Sequence, residues 1–369
     1  MLEAPSEPPQ TAYLLIFLFG LAGFATVFSY LSCLFAATKN FPSYPGIASG
    51  TVNTLFGLSP LVLSFVASGF FTDRVDKSLD VVRFLAFLAL LTGIVHIIGA
   101  LNLRVPKNHL PPMIVQSPNE EMNETTALLR PESRFNADGS SLDLLRDPYF
   151  WIFFMLLVVI LGPCEMIISN VGTIVLSLPS ASATVSSGSS GAAALQVKTL
   201  SISNTVTRLL TGPMADFISP IVIVASELPL SPRKHYMSRA VFLLGPALVL
   251  AFSFLWMDVV VRSQADVWIL SIGTGIAYGA TFTVLPSIIS SVWGTRHAGR
   301  NFGIVVYAPL MGTIIFSYLY AFVSESHTPP DSFCQGTSCW QTTFWICAGL
   351  EVVGVFGSLI LWRGWKGLL

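Results

Sequence analysis

Charge is what this sequence has least of. Asp, Glu, Lys and Arg together make up 11% of its 369 residues, against about 25% in soluble domains. That deficit excludes a chain whose whole surface faces water. With 53% hydrophobic residues, the class that remains is a membrane protein whose elements are sized by the bilayer. Net charge is −1, so no nucleic-acid partner is expected. Catalytic motifs are missing too: there is no G-x-S-x-G, no H-E-x-x-H and no phosphate-binding P-loop. Neither an enzyme nor a nucleotide-driven pump is expected within the chain. The five cysteines show no metal-ligand spacing, so no metal or cofactor is expected. Cys33, Cys164 and Cys347 lie in apolar stretches and read as packing residues. Cys334 and Cys339 share one polar loop and can pair if it faces an oxidising lumen. The opening MLEAPSEPPQ holds no Lys or Arg. It is a poor secretory leader, and the first apolar stretch reads as a true span.

What is present is a series of long apolar runs. A spanning helix needs about 20 mainly apolar residues. Nine such spans are expected, at 12–38, 46–71, 81–103, 148–178, 195–217, 239–260, 266–291, 301–323 and 341–362. The fifth is the most polar, with Lys198, Asn204, Arg208 and many Ser and Thr, and must face a bundle interior or a cavity. Residues 104–147 lack helical periodicity and form a polar linker. Residues 179–194 are a Ser/Ala/Gly loop. The expected organisation is a three-span unit (1–103), a cytoplasmic central linker (104–147) and a six-span unit (148–369). With loops alternating from a cytoplasmic linker, five of the 19 Lys and Arg fall on the far side: Arg74, Lys77, Arg83, Lys198 and Arg262. The other fourteen fall on the cytoplasmic side, as the excess of cytoplasmic Lys and Arg requires.

The first three spans resemble the last three. A shift of 253 residues sets Gly20 on Gly273, Gly46 on Gly299 and Gly50 on Gly303. Six spans follow the linker, and the three before it match the last three of those six. A six-linker-six arrangement is the parallel repeat of major facilitator transporters. This chain looks like that arrangement without its first three helices.

Few residues inside the spans can carry function. Glu165 lies mid-span in GPCEMIISN, where Gly162 and Pro163 weaken the helix ladder and Asn170 adds an amide about a turn away. An intramembrane carboxyl is costly and marks an ion or substrate path as readily as a structural hydrogen bond. Asn53 is a further polar cavity contact. Glu351 lies near the centre of the last span, where a structural or pairing role is favoured. Arg208, Gly212 and Asp216 stand in RLLTGPMAD at the end of the fifth span. There an Asp can cap a neighbouring helix N-terminus and latch one conformation; the bland alternative is a solvated helix end. His96 is expected to be satisfied by a neighbour, and Asp258, near a helix end, to reach water. In the linker, Glu124, Leu128 and Leu129 of ETTALL fit an acidic dileucine signal that a sorting adaptor reads from the cytoplasm.

Three stretches resemble a known family. YLSCLFAATKNFPSYPGIASGTVNTLFGLSPLVLSF resembles the nodulin-like branch of the major facilitator superfamily, which carries K-N-F-P before a G-L-S-containing helix. RDPYFWIFFMLLVVILGPCEMIISNVGTI is similar to the fungal Mch-type transporters, the monocarboxylate transporter homologues, with their D-P-x-x-W start and G-P-x-E-M-x-x-x-N core. RLLTGPMADFISP looks like their R-L-x-x-G-x-x-x-D-x-x-S-P segment. The resemblance implies a twelve-helix vacuolar-membrane transporter of which this chain matches helices four to twelve, with the first three lying outside it. The expected fold is all-α and polytopic, of the major facilitator type. The expected function is secondary active transport of a small solute across a lipid bilayer, with Glu165 as a proton-coupling or substrate-facing group. The alternative is a non-transporting sensor or assembly subunit on the same scaffold. A membrane-embedded enzyme comes third.

Overall fold

The computed structural model describes residues 9–41, 44–71, 80–104, 141–179, 188–218, 240–293, 297–329 and 334–365. Among these, every regular element is a helix. In chain order they are α1 (Pro9–Asn40), α2 (Pro45–Phe70), α3 (Val81–Asn102), α4 (Ser141–Arg146), α5 (Pro148–Leu176), α6 (Gly188–Ile218), α7 (Val241–Val259), α8 (Trp268–Trp293), α9 (Ala298–Val305), α10 (Tyr307–Ser326) and α11 (Gln341–Gly364). Short 3-10 turns at Gln264–Val267 and Thr337–Cys339 lead into α8 and α11.

Local chemistry sets the helix starts. Asp147 caps α5 by accepting the N–H of Tyr149 at 3.0 Å, with Pro148 as the first helical residue. Asp80 caps α3 through the N–H of Arg83 at 3.1 Å. Ser263 and Asp266 close a capping box ahead of α8.

The packed core lies in the six-span unit. Phe150 and Phe153 of α5, Trp293 of α8 and Trp365 beyond α11 stack edge to face and tilted at 5.6–6.1 Å, and the Trp293 indole N–H donates to Asp147 at 3.2 Å. By contrast, α3 buries none of its residues and the apolar window of α1 buries none either. Helices meet where side chains are small, as membrane bundles require. A Cβ on Gly162 of α5 would stand 2.7 Å from the Cα of Gly312 on α10. Across the two units, a Cβ on Gly212 of α6 would stand 2.5 Å from the carbonyl oxygen of Gly46 and 3.1 Å from the Cα of Gly50 on α2.

Each of the nine expected spans corresponds to helix, with corrections. Seven stretches are long and apolar enough to cross a membrane among the described residues. Of the nine, α2 and α6 are outside that set; α6 carries many Ser, Thr, Asn and Arg side chains. The eighth span is interrupted at Val306, because the ring of Pro309 clashes with a helical carbonyl four residues earlier, at Val305. The linker ends in a helix, α4, rather than running unstructured to 147. α6 begins at Gly188, inside the expected loop. α5 is continuous through Gly162 and Pro163, since one missing N–H is tolerated where neighbouring helices hold the backbone. The glycines related by the repeat do not share environments: Gly46 and Gly50 press on α6, whereas Gly303 would have nothing within 4 Å of an added Cβ. The sorting residues Glu124, Leu128 and Leu129 lie outside the described residues.

Candidate functional site

The most polar span makes the site. Arg208 sits ten residues before the end of α6 and is 3% exposed, the one buried Arg or Lys among the described residues. It is therefore not a cytoplasmic end residue, as the charge alternation had it: α2 and α8 close over it. Its Nε donates to Asn204 Oδ1 at 2.8 Å, one turn back on α6. Its Nη1 donates to the backbone oxygen of Asn53 at 3.1 Å and to Asn53 Oδ1 at 3.2 Å. The same Asn53 oxygen accepts the Tyr30 hydroxyl of α1 at 2.7 Å. The guanidinium carbon lies 5.6 Å from the ring centre of Tyr278 and 5.9 Å from that of Phe282, both on α8, close enough for a cation–π contribution. Its Nη2 has no hydrogen-bond partner among the described residues.

Glu165 comes to the same centre from α5. The Tyr278 hydroxyl donates to Glu165 Oε1 at 2.6 Å, and Glu165 lies within electrostatic reach of Arg208. Five helices thus converge on an acid, a base, two amides and two phenols. A fixed cation with a free N–H, beside a carboxyl bonded to a phenol, can hold an anion and exchange a proton.

A second cluster lies two turns further along α6. Asp216 accepts the N–H of Gly46 at 3.0 Å and of Ile47 at 2.7 Å. These are free N–H groups at the start of α2, where the helix dipole favours a carboxylate. Close approach of Gly212 to Gly46 and Gly50 is what lets Asp216 reach them.

Of the residues singled out in the sequence, Glu165, Asn53 and Arg208 meet in one place, and Gly212 and Asp216 in another. Arg208 and Asp216 do not touch each other. Asn170 joins neither cluster; its amide donates back to the Met166 carbonyl at 2.8 Å. His96 is exposed and its Nδ1 lies 2.6 Å from the Thr92 carbonyl oxygen in its own helix. Cys334 and Cys339 are disulfide-bonded, with Cα atoms 5.9 Å apart. Asp258 is 3% exposed instead of reaching water, because α11 packs over it. Glu351 is fully buried between α5 and α7 rather than peripheral. Tyr30, Asn204, Tyr278 and Phe282 escaped the sequence reading. A tyrosine in an apolar run signals a hydroxyl in need of a partner, but not which one.

A helical membrane bundle with a buried cation where its two units meet, and a carboxyl within its electrostatic reach, is the architecture of a solute carrier. The family model described as Major Facilitator Superfamily matches residues 4–308, and the chain belongs to that superfamily of membrane transporters. It is similar to proteins named "Probable transporter MCH1" in Gibberella zeae, at 29% identity over 95% of this chain and 70% of the relative, and in Saccharomyces cerevisiae, at 24% over 94% and 71%. The Emericella nidulans "Probable transporter mch1" is 25% identical over 98% of this chain and 72% of its own length.

Proposed function

We propose that the protein is a secondary transporter of a small organic anion, coupled to protons and working by alternating access. The observation that carries the reading is the Tyr278–Glu165 hydrogen bond within electrostatic reach of Arg208. The solute's carboxylate engages the free Nη2 of Arg208, held in place by Asn204 and Asn53. Glu165 carries the coupled proton, because neutralising it as the anion arrives keeps the buried charge balanced. Asp216 on the N-terminus of α2 latches one conformation. A vacuolar-membrane location is supported by the dileucine pattern at Glu124, Leu128 and Leu129, with a sorting adaptor as its reader.

The test uses the purified chain in liposomes with a panel of labelled short organic acids. Glu165→Gln is expected to lose accumulation driven by a pH gradient while keeping solute-for-solute exchange. Gradient-driven accumulation at the wild-type rate would sink the coupling role. Failure of the wild type to move any acid of the panel in either mode would sink the anion reading.

A further inference from the structure

One face of α11 carries polar side chains that the transport site does not use. Thr343, Cys347, Glu351 and Ser358 fall on that face at helical spacing and are all buried, Glu351 at 0% exposed. Asp258 of α7 is buried beside it. Both carboxyl oxygens of Glu351, both of Asp258 and the hydroxyl of Thr343 have no hydrogen-bond partner among the described residues. Buried polar groups are nearly always partnered, and five orphaned oxygens on one seam demand protons of their own or water.

The seam has two ends. At one, Asp258 is the last but one residue of α7 and Val259 and Val260 beside it are exposed. This is the same end of α11 as the Cys334–Cys339 disulfide loop. Cys347 lies one turn before Glu351 on α11, and Asp258 lies on α7, which packs against α11. At the other end, Glu351 and Glu165 both act electrostatically on Cys164 of α5. A Cβ on Gly354 would lie 3.6 Å from Glu351 Oε2 and 3.4 Å from Leu156 of α5, so Glu351 faces the helix that carries Cys164 and Glu165. The other titratable groups on helices packed against α11 are occupied or remote. Tyr320 of α10 bonds Thr173 of α5 at 2.9 Å, Tyr149 of α5 lies beside Gly364 at the opposite end, and Glu325 and His327 are exposed.

We propose that Asp258 and Glu351, bridged by water along the Thr343–Cys347 face of α11, form a proton relay between the disulfide-loop end of the bundle and Glu165. This rests on the reading of Glu165 as the proton-carrying group. A proton enters at the exposed end of α7 beside Val259 and Val260, protonates the Asp258 carboxylate and passes through bridging water to Glu351. It then passes to the Glu165 carboxylate, leaving Asp258 and Glu351 as they began.

The experiment is infrared difference spectroscopy on the full chain in liposomes, following carboxylic-acid carbonyl bands after a jump into heavy water. Bands are assigned by their loss in Glu165→Gln, Glu351→Gln and Asp258→Asn. Expected are a Glu351 band that exchanges fast in the wild type, and a Glu165 band whose exchange slows by about a hundredfold in Glu351→Gln and Asp258→Asn, the scale a positioned proton-transfer group supplies. A Glu351 band exchanging no faster than the backbone amides of α11 overturns the proposal, and needs no variant of Glu351 to fold well. Fast Glu165 exchange in both variants overturns the relay and leaves the coupling reading standing. A Glu165 band absent at every pH overturns the coupling reading. The Asp258–Glu351 link is then decided by whether Asp258→Asn slows exchange at Glu351.

Discussion

Gly212→Ala isolates the seam between the two helical units. The added methyl would lie 2.5 Å from the Gly46 carbonyl oxygen and 3.1 Å from the Gly50 Cα. Both obstacles are backbone, so no rotamer relieves them and α2 and α6 must part. Overpacking of this kind costs about 1–3 kcal/mol. Parting the helices also lengthens the bonds from Gly46 and Ile47 to Asp216, in a part of the fold that must open in each cycle on the proposed alternating-access reading. The cost therefore falls on the conformation with α2 against α6 and spares the one without that contact. A bias of about 1–3 kcal/mol is about 5- to 150-fold in population. Spin labels on exposed α2 and α6 positions at that end should show a shift to longer distances, with the melting temperature little changed. Gly162→Ala is the control. Its methyl would meet the Gly312 backbone at 2.7 Å inside the six-span unit, so it should lower the melting temperature without moving the distance distribution. A Gly212→Ala protein with wild-type distances, or with a melting loss like that of Gly162→Ala, would refute the argument.

Two further outcomes follow. Arg208→Lys gives up the guanidinium that reaches Asn204, Asn53 and a free site together. At about 1.5–3 kcal/mol for a charged hydrogen bond, KM for a transported acid should rise about tenfold or more with a smaller change in kcat; an unchanged KM would remove Arg208 from the solute site. Trp293→Phe keeps the ring stack but deletes the 3.2 Å bond to Asp147. It should cost about 1.5 kcal/mol, read as a lower melting temperature, with transport per folded molecule unchanged.

The helices were legible because a bilayer imposes a length on apolar runs that few other environments demand. Even the break at Val306 was written in Pro309, three residues on, though the hydropathy of 301–323 masked it. The site was half legible. Glu165 and Asn53 stood out because a carboxyl or amide in an apolar run is expensive. Arg208 was visible but misplaced: the charge alternation set it on the cytoplasmic side, whereas α2 and α8 bury it. Tyr278 and Tyr30 were hidden: their partners lie 113 and 23 residues away in sequence, and only packing decides which face of an apolar helix meets which. Asp258 failed for the same reason, as nothing in the sequence of α7 says that α11 covers its end.

The spacing of α6 ties the two clusters into one device. Arg208, Gly212 and Asp216 recur every fourth residue, so they share one helix face, and all three meet α2. Arg208 reaches Asn53, Gly212 presses on Gly46 and Gly50, and Asp216 caps Gly46 and Ile47. A helix face is rigid over two turns, so the pair cannot part at Asp216 while keeping its register at Arg208. On the proposed reading, a solute that draws the Arg208 guanidinium away from Asn53 loosens the seam that Asp216 holds shut. Breaking the cap in turn frees Arg208 to follow. The coupling is reciprocal, and a double-mutant cycle between Asn53→Ala and Asp216→Asn measures it. Additive effects on the spin-label distances would mean two independent contacts and no shared two-state element.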